Sequence, residues 1–110
     1  MWLPGAQGAI VDPAKVRDYM LSPSHPVGWS KARFLRSLGY AQGRWMVLAA
    51  DLRMLAIEGV VREVPGSPYG RKFEVRGILA GPNGRRAAVV SVWILMRGAR
   101  NPRFLTAYPA

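Results

Sequence analysis

Hydrophobic and polar positions follow two rhythms along this chain, and the change falls near residue 59. Before it the spacing is helical. From Arg44 to Glu58, the residues Trp45, Leu48, Leu52 and Leu55 recur every three or four positions. That spacing makes one apolar stripe and predicts an amphipathic helix stopped by Gly59. Upstream, Ser30 is expected to cap a shorter helix through Leu38, with Phe34, Leu35 and Leu38 inward and Gly39 closing it. Asp12-Pro13 reads as the start of a first helix running to about Met20, with Val16, Tyr19 and Met20 inward. The carboxylate caps it, and proline in the first helical position has no N–H to lose. Ala9-Ile10-Val11 precedes it as a short extended segment, and Ser22 to Gly28 is dense enough in turn residues to be a loop.

After residue 59 short apolar runs predict strands at Val60–Val64, Lys72–Leu79, Ala87–Arg97 and Arg103–Tyr108. Pro65 to Gly70 and Gly98 to Pro102 separate them as loops. Gly81-Pro82-Asn83-Gly84 is a tight turn, with proline presetting the first corner and glycine supplying a positive φ after it. The third run is apolar on both faces and is therefore expected to be central. Helices followed by a meander predict one α+β domain over residues 1–110, with the N-terminal helices packed on one face of a four-stranded antiparallel sheet.

Composition adds a partner to this picture. Half of the 110 residues are hydrophobic, enough for a core, but 16 Lys and Arg stand against 6 Asp and Glu, a formal charge of +10. Residues 59–110 hold nine of the bases and only two of the acids. A field of that sign attracts phosphate polymers, and RNA is the expected ligand. The absence of cysteine excludes disulfides, thiolate metal sites and a cysteine nucleophile. With one histidine and scattered acids, neither a metal cage nor a cofactor is expected. The first residues lack a secretory pattern, and the longest apolar run, Ala87 to Met96, is far short of a bilayer span, so a cytoplasmic protein with no membrane partner is expected. Nucleotide-binding glycine loops, the Gly-x-Ser-x-Gly elbow and the His-Glu-x-x-His zinc motif are all missing from the sequence.

What remains is a set of basic, aromatic and hydroxyl side chains. His25 lies in a loop leading into a helix whose first turns carry Lys31 and Arg33. It reads either as a proton-transfer group or as a histidine that caps a backbone N–H. Tyr69, Arg71, Lys72, Arg76, Arg97, Arg103, Thr106 and Tyr108 lie on or beside the predicted strands. Cations interleaved with rings suit RNA, since phosphates pair with charge while splayed bases stack. Cleavage of RNA without a metal needs a base for the 2′-OH, an acid for the leaving 5′-oxygen and cations for the phosphorane-like charge. On this reading the catalytic candidates are His25 for proton transfer, Lys31, Arg33, Arg76 or Arg97 to hold the phosphate, and Thr106 or Tyr108 to orient it or shuttle a proton. Arg33, Tyr69, Lys72, Arg76, Arg97, Arg103 and Tyr108 are the RNA-binding ones. A non-catalytic nucleic-acid-binding module, or a basic domain that docks an acidic protein, remains open as the alternative.

Three stretches carry a resemblance. They are Leu3-Pro4 through Val11 with Lys15, Tyr19 and Leu21; His25-Pro26-Val27-Gly28 with Lys31-Ala32-Arg33-Phe34; and the series Tyr69-Gly70, Lys72-Phe73, Val75-Arg76-Gly77, Gly81 to Arg85, Val90 to Trp93, Pro102-Arg103-Phe104 and Thr106 to Pro109. In them the chain resembles the bacterial family called domain of unknown function 6883, over nearly its whole length. The order of elements is also similar to that of barnase, EndoU, colicin E-type and RelE-like ribonucleases. That likeness implies a metal-independent ribonuclease of a toxin–antitoxin system, with His25, Lys31 and Thr106 as its active constellation. It also implies an acidic antitoxin partner encoded nearby.

Overall fold

Each helix begins and ends where local chemistry allows. A computed structural model describes residues 1–26 and 28–110. The Asp12 carboxylate accepts the Ala14 N–H at 3.0 Å and caps helix α1 (Pro13–Lys15), which relaxes at once into a π-helical turn (Val16–Met20). Helix α2 (Trp29–Ser37) is capped two residues before the expected Ser30, which is exposed in its first turn and makes no cap. Gly28 takes the cap position, and its N–H donates to His25 Nδ1 at 3.0 Å. At the other end Gly39, at φ +96°, lets the Tyr40 N–H return to the Leu35 carbonyl. Helix α3 (Trp45–Glu58) follows a 3₁₀ turn at Gln42–Arg44, and its stripe is as expected: Leu48, Leu52 and Leu55 are buried and Trp45 half-buried.

The four strands β1 (Val60–Ser67), β2 (Gly70–Ala80), β3 (Arg86–Met96) and β4 (Arg103–Pro109) form an antiparallel meander in chain order. The first hairpin departs from expectation. Pro65 to Ser67 belong to β1, which slips past β2 through an irregularity between Val64 and Ser67, so only Pro68-Tyr69 turn. The Gly81–Gly84 turn is as expected, with Gly84 at φ +86° and its N–H on the Gly81 carbonyl. Ile10 adds a parallel bridge to Arg103, so the expected extended segment 9–11 borders β4.

The helices cover one face of this sheet. One buried cluster joins Leu35, Leu48, Leu52 and Leu55 to Val61, Phe73, Val75, Leu79, Val89, Trp93, Phe104 and Ala107. Gly77 is placed so that α3 can approach, since a Cβ there would collide with Leu55. Inside the core the Trp93 indole N–H donates to Ser91 Oγ at 2.8 Å, and that hydroxyl donates to the Val75 carbonyl at 3.0 Å. Both polar groups are thereby satisfied without water. Val90 and Val92 are buried too but lie outside this cluster, on the face turned away from the helices.

Candidate nucleic-acid interface

Strand register sorts the polar side chains. Residues opposite one another across antiparallel strands share a face, so the pairings define rungs across the outer face. One rung runs Val60, Arg76, Val90, Tyr108; the next Arg62, Glu74, Val92, Thr106; the third Val64, Lys72, Ile94, Arg103. A floor of Val90, Val92 and Ile94 along β3 is therefore walled by polar and cationic residues from β2 and β4. Including Arg86 at the head of β3, five bases share this face with one acid, Glu74.

Glu74 is the hub. One carboxylate oxygen accepts from the Arg62 guanidinium at 2.6 Å and the other from the Tyr108 hydroxyl at 3.1 Å. The Arg62 bond holds the Glu74 carboxyl below its ordinary range, with smaller help from Tyr108. Burial, and then the bond to Glu74, push the Tyr108 hydroxyl above its ordinary value. Beside them Arg62, Glu74, Arg76, Val60 and Val90 line a hollow of about 230 Å³. Thr106, on the Glu74 rung, is the one described residue with a buried side-chain polar atom that lacks a hydrogen-bond partner: its Oγ1.

The structure gathers four of the expected residues here: Lys72, Arg76, Arg103 and Tyr108, together with Thr106. Tyr69 and Arg97 lie just beyond the Lys72 rung, in the turns at that end of the sheet, where the Arg97 N–H donates to the Tyr69 carbonyl and the Tyr69 side chain is 72% exposed. Arg33 and Lys31 are on α2. His25 packs edge-on against Tyr19 at 4.8 Å and accepts the Gly28 N–H, the capping role expected of a loop histidine. Sequence reasoning passed over Arg62 and Glu74. The alternation Lys72, Glu74, Arg76 was visible, but which residue faces Glu74 depends on a register between strands.

An α+β domain with helices on one face of a meander, and a basic outer face built around a single carboxylate, is the class that these features define. The chain belongs to the family described as domain of unknown function 6883, whose model matches residues 2–110. No protein with a curated description matches it in sequence. Among solved structures it is similar to a chain of the contact-dependent growth inhibition toxin–immunity protein complex from Klebsiella pneumoniae 342. The TM-score is 0.72 at 21% identity, over 96% of each chain, which shows a shared fold. Among the described residues no cluster of His, Asp and Glu could hold a metal ion, and no helix is long and apolar enough to cross a membrane.

Proposed function

We propose that this domain is a toxin-type ribonuclease that works without a metal and takes RNA across the outer face of the sheet. One observation carries the reading: a lone carboxylate held between an arginine and a tyrosine, ringed by further cations, beside a buried hydroxyl with no partner. Arg62 and Arg76 hold the scissile phosphate, and the Thr106 hydroxyl, buried without RNA, turns outward to bond one of its oxygens. Glu74 takes the 2′-OH proton, and the 2′-oxygen attacks phosphorus. The bond to the 5′-oxygen breaks, and Tyr108 gives that oxygen a proton. In-line attack puts base and acid on opposite sides of phosphorus, so the substrate parts the Glu74–Tyr108 bond and takes its place. Products carry 2′,3′-cyclic phosphate and 5′-hydroxyl ends.

His25 and Lys31 are the alternative proton-transfer and phosphate-holding pair. Against that assignment, the Gly28 N–H occupies the His25 Nδ1 lone pair that a base would use. The toxin reading draws on the fold shared with one chain of the Klebsiella complex, which pairs a growth inhibition toxin with an immunity protein. A toxin of +10 charge calls for an acidic inhibitor.

Purified protein incubated with total RNA tests the proposal, with and without EDTA and beside Glu74→Gln and His25→Ala variants. Cleavage that survives EDTA and is lost in Glu74→Gln supports it. Binding without cleavage in the wild type hands the domain to a non-catalytic role. Loss in His25→Ala alone moves the chemistry to the α2 side.

A further inference from the structure

Helix α2 carries a second aromatic and cationic cluster that the sheet site does not use. Trp29, Arg33 and Arg36 fall at i, i+4 and i+7 and so share one face of the helix. With Pro23 and Ser37 they line a hollow of about 520 Å³, within the roughly 300–1,000 Å³ usual for small-ligand sites. The other face of α2 is the packing one, with Ala32 and Leu35 buried. Trp29 is not needed there, and 51% of it is exposed. Neither arginine has a carboxylate partner among the described residues, whereas Arg17, Arg62 and Arg71 each do. The lining holds two fixed cations, one indole and no acid.

We propose that Trp29, Arg33 and Arg36 form a docking point for single-stranded RNA, with the indole stacking on a base and the guanidiniums holding the flanking phosphates. This rests on the RNA reading above and shares no residue with the sheet site. Arginines three positions apart on a helix have Cβ atoms about 5–6 Å apart, close enough to serve neighbouring phosphates of one strand. Each planar guanidinium matches two phosphate oxygens. An exposed indole supplies the sequence-tolerant stacking that single strands offer and a folded acidic protein does not. RNA held here gains a second anchor besides the chemistry on the sheet.

The test compares two probes: a short 2′-O-methyl oligonucleotide, which cannot be cleaved by its own 2′-oxygen, and inorganic polyphosphate, which has no bases. Trp29→Ala is expected to weaken oligonucleotide binding about 5- to 150-fold, the loss of one stacked base, and to leave polyphosphate binding unchanged. Trp29→Phe should recover part of the loss, and Arg33→Ala with Arg36→Ala should weaken both probes. Trp29 is exposed, so thermal melts of these variants should match the wild type. Wild-type affinity for both probes in Trp29→Ala overturns this site and leaves the ribonuclease reading standing. Equal loss for both probes also overturns it, since the indole would then not be stacking. Oligoglutamate competing better than the oligonucleotide marks a protein-docking face instead. A wild type that does not bind the oligonucleotide at low salt refutes this inference and the RNA reading together.

Discussion

The two faces of the sheet are built from the same four strands, one residue out of step, and they obey different rules. The inner positions Phe73, Val75, Trp93 and Phe104 are buried against the helices, and the Trp93 indole N–H and the Ser91 hydroxyl that enter there both find partners. Their neighbours in sequence, Lys72, Glu74, Arg76 and Arg103, face outward around a valine floor. There a carboxylate is crowded with cations and the Thr106 hydroxyl is left without a partner. The inner face satisfies itself. The outer face is arranged as though for something that is not part of the chain.

Substitutions should therefore separate the two faces by what they damage. The largest effect is expected for Glu74→Gln, which should lower RNA cleavage by about 10²- to 10⁴-fold and leave the melting temperature near that of the wild type, as gel and calorimetric assays would show. Its pH profile sharpens the point. The Glu74 carboxyl lies below its ordinary 4.5 and so stays ionised as pH falls to that value, and the Tyr108 hydroxyl lies above its ordinary 10.0 and so stays protonated there. Cleavage should be flat between those limits, and a step inside them would take the chemistry away from the Glu74–Tyr108 pair.

Next comes Trp93→Ala on the inner face. It should cost about 3–5 kcal/mol in denaturant unfolding, by opening a cavity and stranding the Ser91 hydroxyl network. A smaller loss, about 1.5–3 kcal/mol, is expected for Tyr40→Phe. Its buried hydroxyl donates to Asp51 on α3 at 2.6 Å, and burial followed by that bond pushes the Tyr40 hydroxyl far above its ordinary value. The smallest change should be the most telling. Thr106→Val removes an unpartnered buried hydroxyl, so stability should hold or rise by up to about 1 kcal/mol while cleavage falls. A Thr106→Val protein that loses stability would mean that the hydroxyl belongs to the fold.

The helical stripe of α3, the Gly81–Gly84 turn and the two-faced β3 were legible because each is a local pattern, complete within a dozen residues. The start of α2 was not. Ser30 looks like a cap, but the His25 bond to Gly28 fixes the cap two residues earlier, and a histidine in a loop does not announce that role. The first hairpin was misread for a similar reason: Pro65-Gly66 signals a loop, while tertiary pairing carries β1 past it as an irregularity. For the site, the cations were visible and the hub was not. Arg62, Glu74 and Tyr108 meet across separations of 12 and 34 residues, and only register can bring them together.

The border between segment 9–11 and β4 has a consequence for the order in which the molecule is assembled. The Asn101 side chain donates to the Gly5 carbonyl across 96 positions, and the Ile10 N–H donates to the Pro102 carbonyl. Leu3, Ala9 and Val11 are buried in the finished structure, yet part of what borders them is the fourth of the four strands in chain order. At a synthesis rate of about 5–20 residues per second, residues 9–11 wait about 5–20 seconds for it. During that wait helix α3 and each new hairpin can form from neighbours alone, because every strand pairs with the one made just before it. The opening segment cannot. A chain halted before residue 103 would thus have most of its parts and would lack the seam that ties residues 5–10 to β4 and its preceding turn.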